Sequence, residues 1–352
     1  MKLKEMQKLL KKKKLDMALF FADDPNIYYF TQMQYLNFSA LCIPSEGYPI
    51  LAVPKMDMAR ARSESRIKKP VCFEKKKKIT SFLSEQLEKR KVRHERIGIN
   101  KAHMTVMHLS RIKKGLKGRY YDISEECKQI RGMKHQEEIR HIRKACRIAD
   151  SAMQMVINNF RFSTETDVEA ALDFYAKQQG ADLAFKTIVA SGKNSSFPHH
   201  TTKHKKLQKG FCIIDYGVRY KGYCSDMTRT LYLGRPTRKE REQYHKVLNV
   251  QEKAILTAEP GKTCGEIDRA ARNSLGERFT HGLGHGVGVE IHEYPSFGPE
   301  SRDRLEKDMV FTIEPGIYMN GRFGIRIEDT VLLRDRAVPL TKTTKELVTI
   351  RI

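Results

Sequence analysis

The sequence contains no tryptophan, no C-x-x-C pair and no long apolar run. A helix that spans a membrane needs about 20 apolar residues in succession, so no membrane partner is expected. Residues 1–14, MKLKEMQKLLKKKK, lack the apolar centre of a signal peptide and are typical of an amphipathic helix. The seven cysteines are odd in number and scattered, which indicates free thiols and a cytoplasmic protein.

Acidic residues are scarce relative to basic ones. The chain has 42 Asp and Glu against 66 Lys and Arg, a formal net charge of +24, and such a surplus attracts polyanions. Lysines are concentrated in runs at 11–14 and 75–78, but few aromatic residues are interleaved with them, which disfavours stacking on a single nucleic-acid strand. A solvated basic surface is therefore the preferred interpretation, and nucleic acid is not an expected partner.

The 352 residues suffice for two domains, and the element pattern suggests where they divide. Short strands alternate with helices over residues 1–126, which predicts a small α/β domain. Residues 127–352 open with a long helix whose apolar positions recur every three or four residues, and Thr166-x-x-Glu169 and Thr263-x-x-Glu266 fit capping boxes of further helices. The predicted fold class is α/β (α+β).

Residues 211–230, FCIIDYGVRYKGYCSDMTRT, are typical of two strands joined by a turn at 220–222. Asp215 falls late in the first predicted strand and Asp226 in the second. Side chains directly opposite each other in an antiparallel pair lie about 5 Å apart. Two carboxylates at that distance in an apolar hairpin repel each other unless a cation lies between them. The hairpin therefore predicts a metal site.

Three residues further along complete a plausible ligand set. His285 lies in HGLGHGVG, Glu314 follows the apolar strand MVFTI, and Glu328 lies in GIRIEDT, where Arg326 is on the same strand face and could brace a ligand carboxylate. Four carboxylates and one imidazole favour Mn²⁺, with Co²⁺, Fe²⁺ or Zn²⁺ as alternatives. Four negative ligands balance two divalent ions, and a water that bridges two metals about 3.5–4 Å apart becomes hydroxide near neutral pH.

Two other motif interpretations fail on their context. The glycines around His285 could form a phosphate-binding loop, but they do not open a predicted helix and no Lys-Ser/Thr follows them. His292-Glu293 begins like the zinc motif H-E-x-x-H, but the fifth residue is Ser296, and Pro295 breaks the helix that the motif needs.

In their order along the chain, the motifs resemble those of the pita-bread metallopeptidases, specifically the Xaa-Pro branch of prolidase and aminopeptidase P. The segment NIYYFTQ resembles the creatinase-type N-terminal domain, and IRGMKHQEEIRHIRKACRIAD resembles the helix between the domains. The catalytic motifs are matched by PHH, DYGVRYKGYCSDMTRT, HGLGHGVGVEIHE, EPGIY and GIRIEDT. The resemblance covers nearly the whole chain and implies a creatinase-like domain, a pita-bread catalytic domain and a homodimer.

The resemblance also implies a function and a role for each matched residue. The expected activity is hydrolysis of the Xaa-Pro bond in dipeptides or short peptides, through attack of a hydroxide that bridges two divalent metals. Glu314 would also carry the proton to the leaving nitrogen, His199 and His292 would donate hydrogen bonds as catalytic residues, and His281 and Arg326 would lie at the substrate. The implied metal ligands are Asp215, Asp226, His285, Glu314 and Glu328.

Two points stay open from the residues alone. His199, His200 and His204 fit either a small zinc site or, preferably, a polar loop, and only the resemblance selects His199. Many prolidases have an arginine shortly after the HE motif that can hold the carboxylate of a dipeptide, but here Ser296 stands there and Arg302 is the next basic residue. Strict dipeptide specificity is therefore not expected.

Other function classes are weaker candidates. A non-catalytic pita-bread protein that binds nucleic acid or acidic proteins through its basic surface would have no need of four converging carboxylates. An amidinohydrolase or lyase on the same fold is disfavoured because the metal-free members lack these ligands. A methionine aminopeptidase is disfavoured by the full N-terminal domain.

Overall fold

The structure is a computed structural model that describes residues 2–34, 36, 38–74 and 78–351. Most of the predicted lysine run at 75–78 therefore lies outside the described residues. The chain divides into two compact units, Met1–Arg131 and Gly132–Ile352. The domain boundary predicted between residues 126 and 127 falls within the helix Ser124–Gly132. In the part of the chain that is described, every helix is too short or too polar to cross a membrane.

The first unit is a six-stranded sheet with helices packed on it, in the strand order β4-β3-β2-β1-β5-β6. The central strand β1 is antiparallel to β2 and parallel to β5. The strands are β1 (Met17–Phe21), β2 (Ala40–Pro44), β3 (Ile50–Pro54), β4 (Val71–Phe73), β5 (Arg96–Ile99) and β6 (Arg119–Asp122). The helices are α1 (Lys2–Lys12), α2 (Pro25–Thr31), α3 (Met58–Glu64), α4 (Ile79–Lys89), α5 (Val106–Gly115) and α6 (Ser124–Gly132).

The second unit has four helices among the described residues: α7 (Gln136–Asn158), α8 (Glu165–Gln178), α9 (Arg238–Thr257) and α10 (Cys264–Leu275). Its strands are β7 (Asp182–Leu183), β8 (Ile188–Ser191), β9 (Gly210–Tyr216), β10 (Val218–Tyr220), β11 (Tyr223–Cys224), β12 (Met227–Leu233), β13 (Gly284–Gly286), β14 (Glu293–Phe297), β15 (Val310–Ile313), β16 (Gly316–Met319), β17 (Phe323–Arg326), β18 (Asp329–Leu333), β19 (Ala337–Pro339) and β20 (Thr349–Ile350). The two larger sheets have the orders β20-β12-β9-β8 and β14-β13-β15-β18-β19. Because both units mix helices with sheets, the predicted α/β (α+β) class is confirmed.

The sheet that carries β9 and β12 is covered by apolar side chains on both faces. In β9, Cys212, Ile214 and Tyr216 share a buried cluster with residues of α7 and α8. Phe211 instead shares a cluster with residues of α9 and α10. Since side chains alternate between the two faces of a strand, Asp215 is on the face of Phe211, away from α7 and α8.

Helix α7 carries the predicted apolar stripe on its buried face, from Ile139 to Val156. Helix α8 begins earlier than the capping box at Thr166 and Glu169 predicted. The sequence offers two overlapping boxes, and the structure uses Thr164 as the cap with Asp167 as its partner. The earlier start makes Glu165 the first helical residue. The second predicted box, at Thr263, is observed at the start of α10.

The predicted hairpin at 211–230 is formed in two steps rather than as one continuous pair. Strands β9 and β12 pair antiparallel over seven residues each, and beyond them β10 and β11 form a short second pair. At the break, a Cβ on Gly217 would lie 2.3 Å from the Ser225 carbonyl oxygen, so only glycine fits. Asp226 therefore precedes β12 instead of lying within a strand, and the cross-strand partner of Asp215 is Thr228. Glu328 likewise lies between β17 and β18.

Candidate metal centre and active site

The five candidate ligands lie together in the second unit. Asp226, His285 and Glu328 each offer one ligand atom, and these three atoms lie within 4.8 Å of one another. The His285 Nε2 atom is 3.6 Å from Asp226 Oδ2 and 3.4 Å from Glu314 Oε1. The negative charge of Asp215 raises the pKa of Asp226, Glu314 and Glu328, which places its carboxylate in the same cluster. Residues up to 113 positions apart thus converge.

The two larger sheets each present part of this cluster. Asp215 lies in β9 and Asp226 directly before β12, in one sheet. His285 lies in β13, Glu314 directly follows β15 and Glu328 precedes β18, in the other. The backbone N–H of Glu328 donates to the Thr228 carbonyl oxygen at 3.1 Å, which joins the sheets beside the cluster. All five residues thus lie within strands or directly beside them.

Burial and mutual repulsion both make the negatively charged forms of these carboxylates unfavourable. Burial, followed by the negative charge of neighbouring carboxylates, raises the pKa of Asp226 and of Glu328 well above the usual range. Burial also raises the pKa of Glu314 to about 7, against the opposing positive charge of Arg326. Acids behave in this way when they are brought together without a compensating cation. The donor set thus fits divalent metal ions, which would neutralise the cluster.

Asp215 is held from one side only. Arg326 Nη2 donates to Asp215 Oδ2 at 2.7 Å, and the Arg326 side chain is 5% exposed. The second oxygen, Oδ1, is buried and has no hydrogen-bond partner in the described part of the chain. Buried polar atoms are rarely left unpaired, so this oxygen is well suited to bind a cation.

Two threonine hydroxyls, which the sequence reasoning missed, orient the other carboxylates. Thr228 Oγ1 donates to Glu328 Oε2 at 2.7 Å and accepts from Arg326 Nε at 3.1 Å. Thr312 Oγ1 accepts from the His285 backbone N–H at 3.1 Å and lies 3.3 Å from Glu314 Oε1. Thr228 lies two residues after Asp226 and Thr312 lies two residues before Glu314, a spacing that is visible in the sequence.

His285 is presented as a neutral ring. Its Nδ1 atom lies 3.2 Å from the Gly286 carbonyl oxygen, so we assign the proton to Nδ1 and the free lone pair to Nε2. Burial lowers the pKa of the ring. A Cβ on Gly284 or Gly286 would lie about 2 Å from a neighbouring carbonyl oxygen, so glycine is required for this close strand approach.

His281, Tyr318 and Arg326 form a chain of hydrogen bonds beside the cluster. Arg326 Nη1 donates to the Tyr318 hydroxyl at 2.8 Å, and this hydroxyl lies 3.0 Å from His281 Nε2. His281 Nδ1 lies 2.9 Å from the Gly282 carbonyl oxygen, so both ring nitrogens have partners within the chain. Burial lowers the pKa of His281 to about 4, which keeps the ring neutral. Sequence reasoning did not identify Tyr318.

The two predicted catalytic histidines border the cluster and are exposed. The ring centroid of His292 lies 4.3 Å from that of His285, edge to face. A charge on the His199 ring would act electrostatically on both His281 and Glu314, which indicates that the ring lies near both. The structure thus brings all the predicted site residues into one region, with two rings facing solvent beside buried acids.

The chain matches two protein-family models and a curated relative over nearly its whole length. The model of Metallopeptidase family M24 matches residues 140–335, and that of the Creatinase/Prolidase N-terminal domain matches residues 2–133. An Xaa-Pro dipeptidase of Pyrococcus horikoshii is 37% identical over 99% of this chain and 98% of its own length.

Two solved structures are similar over nearly their whole length. The prolidase from Pyrococcus horikoshii OT3 has a TM-score of 0.89 at 35% identity, with 99% of both chains covered. The X-Pro aminopeptidase from Thermotoga maritima MSB8 has a TM-score of 0.87 at 30% identity, with 96% of this chain and 98% of that chain covered. The predicted resemblance to pita-bread metallopeptidases is confirmed, and the chain belongs to metallopeptidase family M24, with a creatinase/prolidase-type N-terminal domain.

Proposed function

We propose that the protein is a metal-dependent exopeptidase that hydrolyses the bond before proline in dipeptides and short peptides. The buried cluster of four carboxylates around His285 carries this proposal, because no other region of the described chain combines such repulsion with such burial. The similar proteins named as Xaa-Pro dipeptidase and X-Pro aminopeptidase support the substrate class.

We assign the metal ligands to Asp215, Asp226, His285, Glu314 and Glu328. The donors are mostly carboxylate oxygens, which favours two Mn²⁺ ions, with Co²⁺, Fe²⁺ or Zn²⁺ as alternatives. When bound, such ions lower the pKa of water towards neutrality and polarise a peptide carbonyl. The unpaired Oδ1 of Asp215 and the raised pKa values of the acids support this assignment.

We assign proton transfer to Glu314. A glutamate carboxylate at this position can accept a proton and release it again. The contact with Thr312 orients its carboxylate. The nitrogen of an Xaa-Pro bond has no hydrogen, so a proton must be delivered to it as the bond breaks. Glu314 would supply that proton.

We assign the three remaining histidines to substrate binding and Arg326 to the positioning of other side chains. His199 and His292 are exposed beside the acids and are suited to donate hydrogen bonds to the substrate carbonyl and the negative charge that develops on it. His281 would border the proline side of the substrate, with its orientation fixed by Tyr318. Arg326 donates to Asp215 Oδ2 and to the Tyr318 hydroxyl, so we propose that it acts by holding Asp215 and Tyr318.

Replacing His199 with alanine is expected to lower kcat by about 10²- to 10³-fold, the usual cost of losing one such donor. The metal content should stay unchanged, because His199 is not one of the assigned metal ligands. Steady-state kinetics on an Xaa-Pro dipeptide, with metal analysis of the same sample, tests this. His204→Ala is the matched control, because His204 is exposed on the same segment. Wild-type kinetics for His199→Ala would remove His199 from the mechanism.

We further propose that substrates longer than dipeptides are accepted. The Cα partner of Ser296 in the β13–β14 pair is His285, so their side chains share a face, and Ser296 is exposed there. The neighbouring carboxylate of Asp303, which accepts from the Ser296 N–H at 2.9 Å, disfavours a free substrate carboxylate nearby. The position that could anchor a dipeptide carboxylate thus offers no positive charge of its own.

Ser296→Arg is expected to raise kcat/KM for an Xaa-Pro dipeptide about tenfold relative to an Xaa-Pro-Yaa tripeptide, because an arginine–carboxylate bond contributes about 1.5–3 kcal/mol. Competition between the two peptides in one reaction, followed by mass spectrometry, measures the ratio. Ser296→Met adds comparable length without charge and should leave the ratio near that of the wild type. An unchanged ratio in Ser296→Arg would contradict the proposed place of Ser296.

We also propose a cytoplasmic location and a homodimer. All seven cysteines are free thiols and six are buried, which suits a reducing compartment. The dimer rests on the family resemblance alone.

A further inference from the structure

A fully buried carboxylate holds the segment that carries His199. Glu165, the first residue of α8, is 0% exposed. Its Oε1 atom accepts from the Ser191 N–H at 2.8 Å, from Ser191 Oγ at 3.0 Å and from Asn194 Nδ2 at 2.8 Å. A buried carboxylate is costly unless it is fully hydrogen-bonded. Among the described residues, the carboxylate takes its hydrogen bonds from Ser191, Asn194 and His200, all in one short segment.

The other oxygen of Glu165 binds the neighbour of His199. Glu165 Oε2 lies 3.0 Å from His200 Nε2, and the His200 side chain is 6% exposed. Burial acts to raise the pKa of Glu165, but the hydrogen bonds from Ser191, Asn194 and His200 lower it below its usual value. An ionised carboxylate can only accept, so the proton of this hydrogen bond lies on His200 Nε2.

The residue before His199 is held as well. The Pro198 carbonyl oxygen accepts from Arg326 Nη1 at 3.3 Å. The two neighbours of His199 are therefore anchored to buried charged groups, Pro198 through its carbonyl oxygen and His200 through its side chain, whereas the His199 side chain is exposed beside the acid cluster. The chain on both sides of His199 is thus held in place, while the His199 ring itself is exposed to solvent.

We propose that Glu165 and His200 form a positioning pair that holds His199 in its productive orientation. The inference rests on the proposed function, because it gives His199 a part in the reaction. Neither member of the pair touches the substrate or the metal ligands; the pair transmits the rigidity of α8 to the backbone of the 191–200 segment. A purely structural role for the pair would instead affect stability and all activities alike, which makes the two separable.

The test compares His200→Leu, which removes the N–H donor, with His200→Gln, which keeps a side-chain N–H donor. His200→Leu is expected to lower kcat on an Xaa-Pro dipeptide about ten- to a hundredfold through misplacement of His199. KM and metal content should stay close to those of the wild type. His200→Gln should recover most of the rate, and His204→Leu, the same change at an exposed histidine, should leave it unaltered.

The same change is then made in the His199→Ala background. If the pair acts through His199, His200→Leu should lower kcat by less than about twofold there, because the group it positions is already gone.

Hydrogen exchange supplies a readout that is independent of turnover. The amides of residues 192–202 should exchange faster in His200→Leu than in wild type or His200→Gln. Glu165→Gln, which turns an N–H towards His200, should reproduce both effects if His200→Leu does not fold.

The outcomes separate this inference from the proposed function. Absence of Xaa-Pro hydrolysis by the metal-loaded wild type would refute the proposed function, and the exchange rates would still decide whether His200 holds the segment. With an active wild type, the positioning pair is refuted by wild-type kcat in His200→Leu, by equal losses in both backgrounds, or by loss of bound metal.

Discussion

Asp226→Ala is expected to lose bound metal and to lower kcat/KM by at least about a thousandfold, because the activated water depends on the ions. Asp226 is 5% exposed, and its Oδ2 lies 3.6 Å from His285 Nε2, so one ligand is removed from the centre of the set. Metal analysis after Mn²⁺ reconstitution and desalting, with kinetics on the same sample, measures both losses.

The metal-free protein provides the control for folding. The pKa of Asp226 is raised in the folded state, so its charged form opposes folding at pH values above that raised pKa and the opposition disappears as the pH falls below the unfolded pKa. Metal-free Asp226→Ala should therefore melt no lower than metal-free wild type at neutral pH. Asp335→Ala, at an exposed aspartate, should keep metal and activity. Full turnover by a metal-depleted Asp226→Ala enzyme would contradict the ligand assignment.

Glu314→Gln is expected to lower kcat by about a thousandfold, within the range for loss of a positioned proton carrier. The amide keeps the length of the side chain and one oxygen, but it cannot take up and return a proton near pH 7. KM should change much less than kcat, because the substrate-facing histidines remain in place. Rapid-mixing kinetics with metal analysis of the same sample separates the loss of proton transfer from any loss of metal.

Glu300→Gln, the same change at an exposed glutamate, is the matched control and should behave as wild type. A Glu314→Gln enzyme that keeps both metal and wild-type kcat would exclude Glu314 as the proton carrier. One that loses the metal altogether would show that its role as a ligand dominates.

The five candidate ligands could be picked out from the sequence because each lies in a short, recognisable motif, and the structure brings them together. Asp215 and Glu314 are each next to apolar strand residues, and an acid that is removed from water in such a place needs a partner. Helix α7 could also be predicted from the spacing of its apolar residues, because one face of the helix is buried along its whole length.

The contacts that orient the ligands could not be predicted, because they join distant residues. Thr228 and Glu328 are 100 positions apart, and neither sequence motif indicates that the two side chains form a hydrogen bond. Arg326 was correctly placed near a ligand, but its partner, Asp215, depends on how the two sheets meet. His200 gave no signal of its buried pairing with Glu165, which requires the observed start of α8. The break in the 211–230 hairpin depends on a close approach at Gly217 that is visible only in three dimensions.

The backbone behind the centre is also fixed by a long-range contact. Arg229 is buried, and its Nη2 atom donates to Asp329 Oδ1 at 2.8 Å while its Nη1 atom donates to the Glu328 carbonyl oxygen. Burial acts to raise the pKa of Asp329, but the positive charges of Arg229 and Lys345 lower it below its usual value. The two adjacent acids therefore differ in environment: Asp329 is neutralised by basic side chains, whereas Glu328 faces other carboxylates.

The most direct test is anomalous diffraction at the manganese edge from crystals of the Mn²⁺-reconstituted protein. Two anomalous peaks should lie among Asp215, Asp226, His285, Glu314 and Glu328, with Asp215 Oδ1 directed at one of them. Crystals that show no peak among these side chains, or manganese bound only elsewhere on the protein, would contradict the assignment of a dinuclear metal centre.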